Sequence, residues 1–299
     1  MKLKFKQTLS LVKTAFKEWW SKDPFRESAV IAYYAIFSLP GLLVLITTLA
    51  GFIIGSDAVN HHIENEMAST FGANTAHQIQ VMISIASESK NSVWAAIIGG
   101  ITILIGATAV FAQFQKSLNI IWEVKTDKSK AGIWNLIIVR LFSFGLIVSI
   151  AFILIVSLIV SSALAALGKW LSGNFPESLL VAIQVVNFIL SIAILSFLFA
   201  LMFKIFPDAQ IKWRHVWTGS VVTAFLFELG KFALALYFGK ADPGSRYGAA
   251  GSIILILLWV SYSSMLVFYG AEFTRAYAVQ HDDWIPPDQN ANKQPGRKI

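Results

Sequence analysis

Residues Ala224–Phe238 read AFLFELGKFALALYF. One acid, Glu228, and one base, Lys231, stand in an otherwise apolar run. Such runs recur along the chain of 299 residues, of which 56% are hydrophobic and 14% charged. Ordinary soluble domains carry about 25% charged residues. The mean hydropathy is +0.64. A soluble helical bundle of this composition would expose far too much apolar surface. The expected class is therefore an all-α, polytopic membrane protein.

Six spans are expected, at 29–55, 93–113, 133–165, 178–206, 216–238 and 249–274. Each exceeds the roughly 20 residues that cross a bilayer core. The first run starts too late and is too long for a cleaved signal core of about 7–15 residues. Of the 24 Lys and Arg, 18 fall in segments 1–28, 114–132, 204–215 and 275–299. Lys90, Lys169, Lys240 and Arg246 fall in the other set of loops. The positive-inside rule then puts both termini in the cytoplasm, with the chain threaded through the membrane several times. The net charge of +7 follows this orientation pattern, so no nucleic-acid partner is expected. The expected partners are membrane lipids.

The flanking pieces have their own character. In LSLVKTAFKEWW, Leu9, Val12, Phe16 and Trp19 recur at helical spacing with Lys13 and Lys17 among them. This predicts an amphipathic helix within 1–28, either lying on the inner interface or packed on the bundle. In the outer loop 56–92, Val59, Ile63 and Met67 recur, as do Ile79, Met82 and Ala86. They predict a small helical cap. The tail 275–299 is polar and proline-rich, and disorder is expected there.

Composition also excludes chemistry. The chain has no cysteine, so disulfides, thiolate metal sites and cysteine nucleophiles are absent. There is no P-loop. His61, His62 and His77 lie in the outer loop, while His215 and His281 are isolated in sequence. No metal-ligand spacing, no cofactor motif and no enzyme activity are expected.

Glu228 and Lys231, three apart, share one helix face inside the fifth span. Each charge at mid-bilayer costs about 2.5–3.5 kcal/mol, so both should face protein or a polar path. They either line a route for a transported group or form an ion pair that holds helices together. Arg140 in the third span either snorkels to lipid phosphates or contacts an anion. In the first span, AYYAIFSLPGLL carries Pro40, which removes a backbone donor and predicts a kink. Tyr33, Tyr34 and Ser38 precede that break, and broken helices often line binding sites. Tyr262 lies in a hydroxyl-rich turn, Ser261–Ser264, of the sixth span. Glu272 and Arg275, also three apart, read as a surface ion pair at the inner interface. GFIIG, Gly51–Gly55, offers small residues for close helix contact, including contact between copies in an oligomer.

The segment YGAAGSIILILLWVSYSSMLVFYGAEFTRAYA resembles the signature of the YihY/BrkB family of bacterial inner-membrane proteins. AYYAIFSLPGLL, LNIIWEV at 118–124, FPDAQIKWRHVWTGSVVTAF and ELGKFALALYF match in the same order, over about residues 20–280. Ser261 and Met265 depart from the family pattern, which usually has an aromatic and often a polar residue there. The resemblance implies a six-span inner-membrane protein and no activity. Members have been labelled serum-resistance factors, transporters and, mistakenly, ribonuclease BN. Two functions stand. One is a transporter, or a handler of lipids or of an amphipathic or zwitterionic small molecule, in the cell envelope. The other is a non-transporting membrane scaffold for an envelope machine.

Overall fold

The computed structural model describes residues 5–37, 63–65, 67–68, 76–77, 80–81, 108–126, 177–241, 247, 250–282, 285–288 and 291–293. The described chain is mostly helical. Helix α1 is Phe5–Ser21. Helix α2 covers 24–37 and α3 covers 108–121. Strand β1 is Val124–Thr126. Helices α4, α5 and α6 are Glu177–Ile205, Trp213–Ala241 and Gly251–Asp282, and β2 is Ala291–Lys293. Three of these helices, α4, α5 and α6, are long and apolar enough to cross a membrane. They coincide with the fourth, fifth and sixth expected spans. The three earlier expected spans fall largely outside the described residues, as do Pro40 and the GFIIG stretch. Of the expected outer cap, 63–65, 67–68, 76–77 and 80–81 are helical pieces.

The chain forms two compact units. One contains Met1–Ala15, Trp122–Leu226 and Gly270–Ile299; the other contains Phe16–Ile121 and Phe227–Tyr269.

In the first unit, α5 and α6 meet antiparallel through a reciprocal contact. A Cβ on Gly219 would lie 2.6 Å from Thr274 Cβ, and one on Gly270 would lie 2.8 Å from Thr223 Cβ. Each glycine thus receives a threonine of the facing helix. The threonine hydroxyls donate back to the glycine carbonyls of their own helices, Thr223 to Gly219 and Thr274 to Gly270, both at 2.7 Å. Both polar groups are satisfied while buried, as an apolar surround demands. Leu198, Phe199, Ala200 and Phe203 of α4 belong to the buried core.

The loops at 124–126 and 208–210 are tied by the tail. β1 pairs antiparallel with β2, in the register Val124 to Lys293, Lys125 to Asn292 and Thr126 to Ala291. Ala209 bridges Pro287, Gln210 N donates to Pro286 O, and Thr126 Oγ1 donates to Asp208 Oδ2 at 2.7 Å. The tail was expected to be disordered from 275. Instead α6 runs on to Asp282, and 285–288 and 291–293 are held by backbone pairing. Composition hid this, because ladder hydrogen bonds ask little of side chains.

Glu272 and Arg275 also differ from expectation. Glu272 is fully buried and bonds Arg275 Nη1 at 2.8 Å, while Arg275 Nη2 pairs with Glu123. The pair is an interior one rather than a surface one. Glu123 takes a positive φ of 54°, uncommon for a residue with a long side chain, in the turn between α3 and β1.

In the second unit, Pro24 opens α2 after Asp23, whose φ of 52° turns the chain out of α1. Phe114 of α3 packs on Phe268 of α6 at 5.6 Å, and Trp19 meets Tyr269 edge-on at 5.9 Å. Phe238 and Leu255 form a small core with Leu234, Trp259 and Met67. Helix α1 runs from the first unit into the second, and Leu9, Val12, Phe16 and Trp20 are exposed along one of its stripes, as in a helix lying at an interface.

Gly219→Ala or Gly270→Ala should destabilise the protein by about 1–3 kcal/mol, the usual cost of overpacking. Adding Thr274→Ala to the first, or Thr223→Ala to the second, should return part of the loss. Thermal unfolding of the full chain in detergent measures both.

Candidate functional site

Charged and hydroxyl side chains gather inside the second unit. Glu228 and Lys231 of α5 pair at 2.9 Å, the first 13% exposed and the second 43%. They meet each other along one helix face. Tyr262 of α6 lies elsewhere on α5. Its hydroxyl would be 2.9 Å from a Cβ on Gly230, a position turned about 160° around the helix from Glu228 at 3.6 residues per turn. Tyr33 is exposed and stacks edge-on with Tyr34 and Phe37. Ser38, Pro40 and Arg140 lie outside the described residues. Of the polar path expected from sequence, the structure thus brings together Glu228 and Lys231, and it sets Tyr262 on another side of the same helix.

A second centre was not foreseen. Glu27 of α2 is 7% exposed. Its Oε2 accepts from Ser117 Oγ at 2.7 Å and from Gln113 Nε2 at 2.8 Å, both on α3. Arg26 Nη2 donates to Oε1 at 3.1 Å. Three donors on one carboxylate stabilise its ionised form. Next to Glu27, the Ser28 and Ser261 hydroxyls lie 3.1 Å apart. Ser261 is the middle of the apolar run 249–274, so Ser28, the neighbour of Glu27, meets the apolar part of α6. Beside Glu27 is a cavity of about 10 Å³, lined by Trp19, Lys22, Ser117 and Phe268 among others. That is room for about one water molecule. Lys22 closes the neighbouring end by donating to Ile121 O at 3.0 Å.

Sequence reading missed Glu27 because an acid in the first turn after a proline reads as a partner of the helix dipole. The available signal was on the other helix. Gln113 and Ser117 are four apart and so share a face of α3.

His215 and His281 also come together, in the first unit. His215 is buried, bonds Asp282 through Nε2 at 2.7 Å, and its ring lies 5.9 Å from that of His281. Among the described residues no group of three or more His, Asp or Glu is placed to hold a metal ion.

The chain matches the sequence profile described as Virulence factor BrkB over residues 15–295. It is 28% identical over 254 residues to a UPF0761 membrane protein of Pseudoalteromonas atlantica, covering 83% of this chain and 79% of that protein. It is 25% identical over 275 residues to one of Vibrio atlanticus, covering 90% and 82%. A third, from Saccharophagus degradans, is 24% identical over 266 residues, covering 88% of this chain but only 58% of the relative's length. No solved structure matches.

Ser117→Ala should cost about 1.5–3 kcal/mol, because it strips a donor from a buried charge. Ser28→Ala should cost less, about 0.5–1.5 kcal/mol, since a neutral pair of hydroxyls is lost. Chemical or thermal unfolding of the purified variants gives the comparison.

Proposed function

The chain belongs to the BrkB virulence-factor family of membrane proteins, and from that premise we propose that it handles or transports a lipid or another amphipathic or zwitterionic solute in the bacterial inner membrane. In this reading six helices cross the membrane and both termini are cytoplasmic, as the Lys and Arg distribution suggests. No catalysis is assigned to it.

The observation that carries the reading is the Glu27 centre. A carboxylate held by Ser117 and Gln113 shares a small cavity with Phe268 of the apolar part of α6. Glu27 stands two residues before the first expected span, at its cytoplasmic end in this reading, and a buried carboxylate there is costly; ionisable groups of this kind mark solute or proton pathways by default. Glu228 and Lys231 provide both signs of charge on α5 in the same unit. That combination suits a zwitterionic headgroup, with proton exchange at Glu228 as the simplest coupling.

A scaffold is the second reading, and one observation favours it. The Glu228–Lys231 pair closes on itself at 2.9 Å, and the cavity at Glu27 admits no solute larger than water. A chain built only to hold partners needs nothing more.

Mass spectrometry of lipids and metabolites that co-purify with the wild type, Glu228→Gln and Glu27→Gln separates the two readings, with thermal stability measured on the same samples. The transport reading expects a molecule bound to the wild type and depleted several-fold in a variant that stays folded. Loss of stability in the variants, with nothing bound to the wild type, supports the scaffold and overturns transport.

A further inference from the structure

A polar opening lies in the first unit, at the start of α5 and the end of α6. It is a groove of about 650 Å³, lined by Lys204, Lys212, Trp213, His215, Asp282 and Pro286 among others. Its charges are unequal. Lys212 Nζ is 3.0 Å from Asp282 Oδ2, and Arg214 Nη2 bonds the other oxygen of the same carboxylate. Lys204 adds a third cation, seated 5.9 Å from the centre of the Trp213 ring. Two permanent cations thus hold one carboxylate, and a third, Lys204, lines the same groove. Asp208 and Asp288 are nearby in the chain but belong to the strand edge, where Thr126 holds Asp208.

Asp282 ends a helix of 32 residues, about 48 Å long at 1.5 Å per residue, against an apolar core of about 30 Å. It lies eight residues past the apolar run that ends at 274, outside the membrane-spanning part. The hydrogen bond from His215, then that of Lys212, lowers its pKa to about 2, with Arg214 adding its charge. The carboxylate stays ionised and already engaged, so an entering group meets the surplus cations. The N-terminus of α5 turns its positive dipole end to the same place.

A different observation names the ligand class. Trp213 is 46% exposed and Trp217, one turn on, 42% exposed. Phe197 packs 6.2 Å from Trp217, and Ile205 is exposed close by in sequence to Lys204. Exposed tryptophans mark the headgroup level of a membrane helix bundle. A groove with surplus lysines opens beside an apolar, aromatic rim. Basic pockets of this kind, at helix ends on the cytoplasmic side, recognise anionic headgroups. Inorganic phosphate would use the lysines and leave the rim idle.

We propose that this groove is a binding site for an anionic phospholipid, whose phosphate lies between Lys204 and Lys212 and whose glycerol and upper acyl chains rest on Trp213 and Trp217. The site does not rest on the transport reading, since it lies in the other unit and needs neither Glu27 nor Glu228.

The test is native mass spectrometry and thermal unfolding of the full chain in a neutral detergent, with phosphatidylglycerol, phosphatidylcholine or inorganic phosphate added. Phosphatidylglycerol should bind and stabilise more than phosphatidylcholine. Lys212→Gln should weaken it about fivefold, and Lys204→Gln with Lys212→Gln about thirtyfold, from the usual contribution of a basic residue near the membrane surface. Lys204 also donates to Ile211 O, so Lys212→Glu serves as the second variant: Lys212 is 64% exposed, and reversing its charge beside Asp282 should abolish the preference. Lys125→Gln removes the same charge from exposed β1 and should leave binding unchanged. Equal binding of the two lipids, an unaltered preference in Lys212→Glu, or an equal loss in Lys125→Gln overturns the site. Stabilisation by inorganic phosphate that matches phosphatidylglycerol overturns the assignment to lipid. Retained phosphatidylglycerol binding in Glu228→Gln separates this site from the transport reading.

Discussion

The close approach of α5 and α6 sets the rest of the first unit. Lipid chains are as apolar as leucine, so helices in a membrane gain little from hiding leucines from lipid; they gain from tight packing. Gly219 against Thr274 and Thr223 against Gly270 supply that packing twice, in one antiparallel register. The β-branched threonines have few rotamers to lose. Their hydroxyls turn back onto Gly219 O and Gly270 O, so both are hydrogen-bonded while buried. The same register brings His215, four residues before Gly219, to Asp282, eight residues after Thr274. Arg275, next to Thr274, is thereby placed to reach both Glu272 and Glu123.

The charges within the protein are handled in three ways. Glu228 and Lys231 answer each other on one helix. Glu27 is answered from a neighbouring helix by neutral donors and by adjacent Arg26. Glu272 is answered by Arg275, which also holds the turn at Glu123. A buried pair is seldom a net gain over apolar packing, yet removing one partner is costly because a charge is left behind. The three arrangements therefore differ in what they suit. The intrahelical pair is complete in itself. The Glu27 centre depends on α2 and α3 staying together, and a movement of either would change what the carboxylate meets. The Arg275 pair fixes an irregular backbone turn, a structural task.

The end of the first unit that carries the groove combines rigidity with surplus charge. The tail returns to pair with β1 and to bridge Ala209, so the loop before α5 is held by backbone hydrogen bonds. That loop carries Gln210, Ile211 and Lys212, which line the groove. A cationic groove on a fixed frame loses less conformational entropy on meeting an anion than loose lysines would.

Much of the helical framework was legible in the residues. Runs 178–206, 216–238 and 249–274 became Glu177–Ile205, Trp213–Ala241 and Gly251–Asp282. A long apolar segment has few ways to satisfy its backbone away from water, and a helix does so within itself, so composition alone determined these elements. The pairing of Glu228 with Lys231 was legible for the same reason, being three residues apart on one helix. What only the tertiary structure decided are the contacts between distant positions. Ser117 meets Glu27 across 90 residues, His215 meets Asp282 across 67, and β2 finds β1 from the tail. Local periodicity carries no information about which helix faces which. A buried glutamate, a histidine or a strand of Ala, Asn and Lys looks like solvated surface until packing gives it a partner.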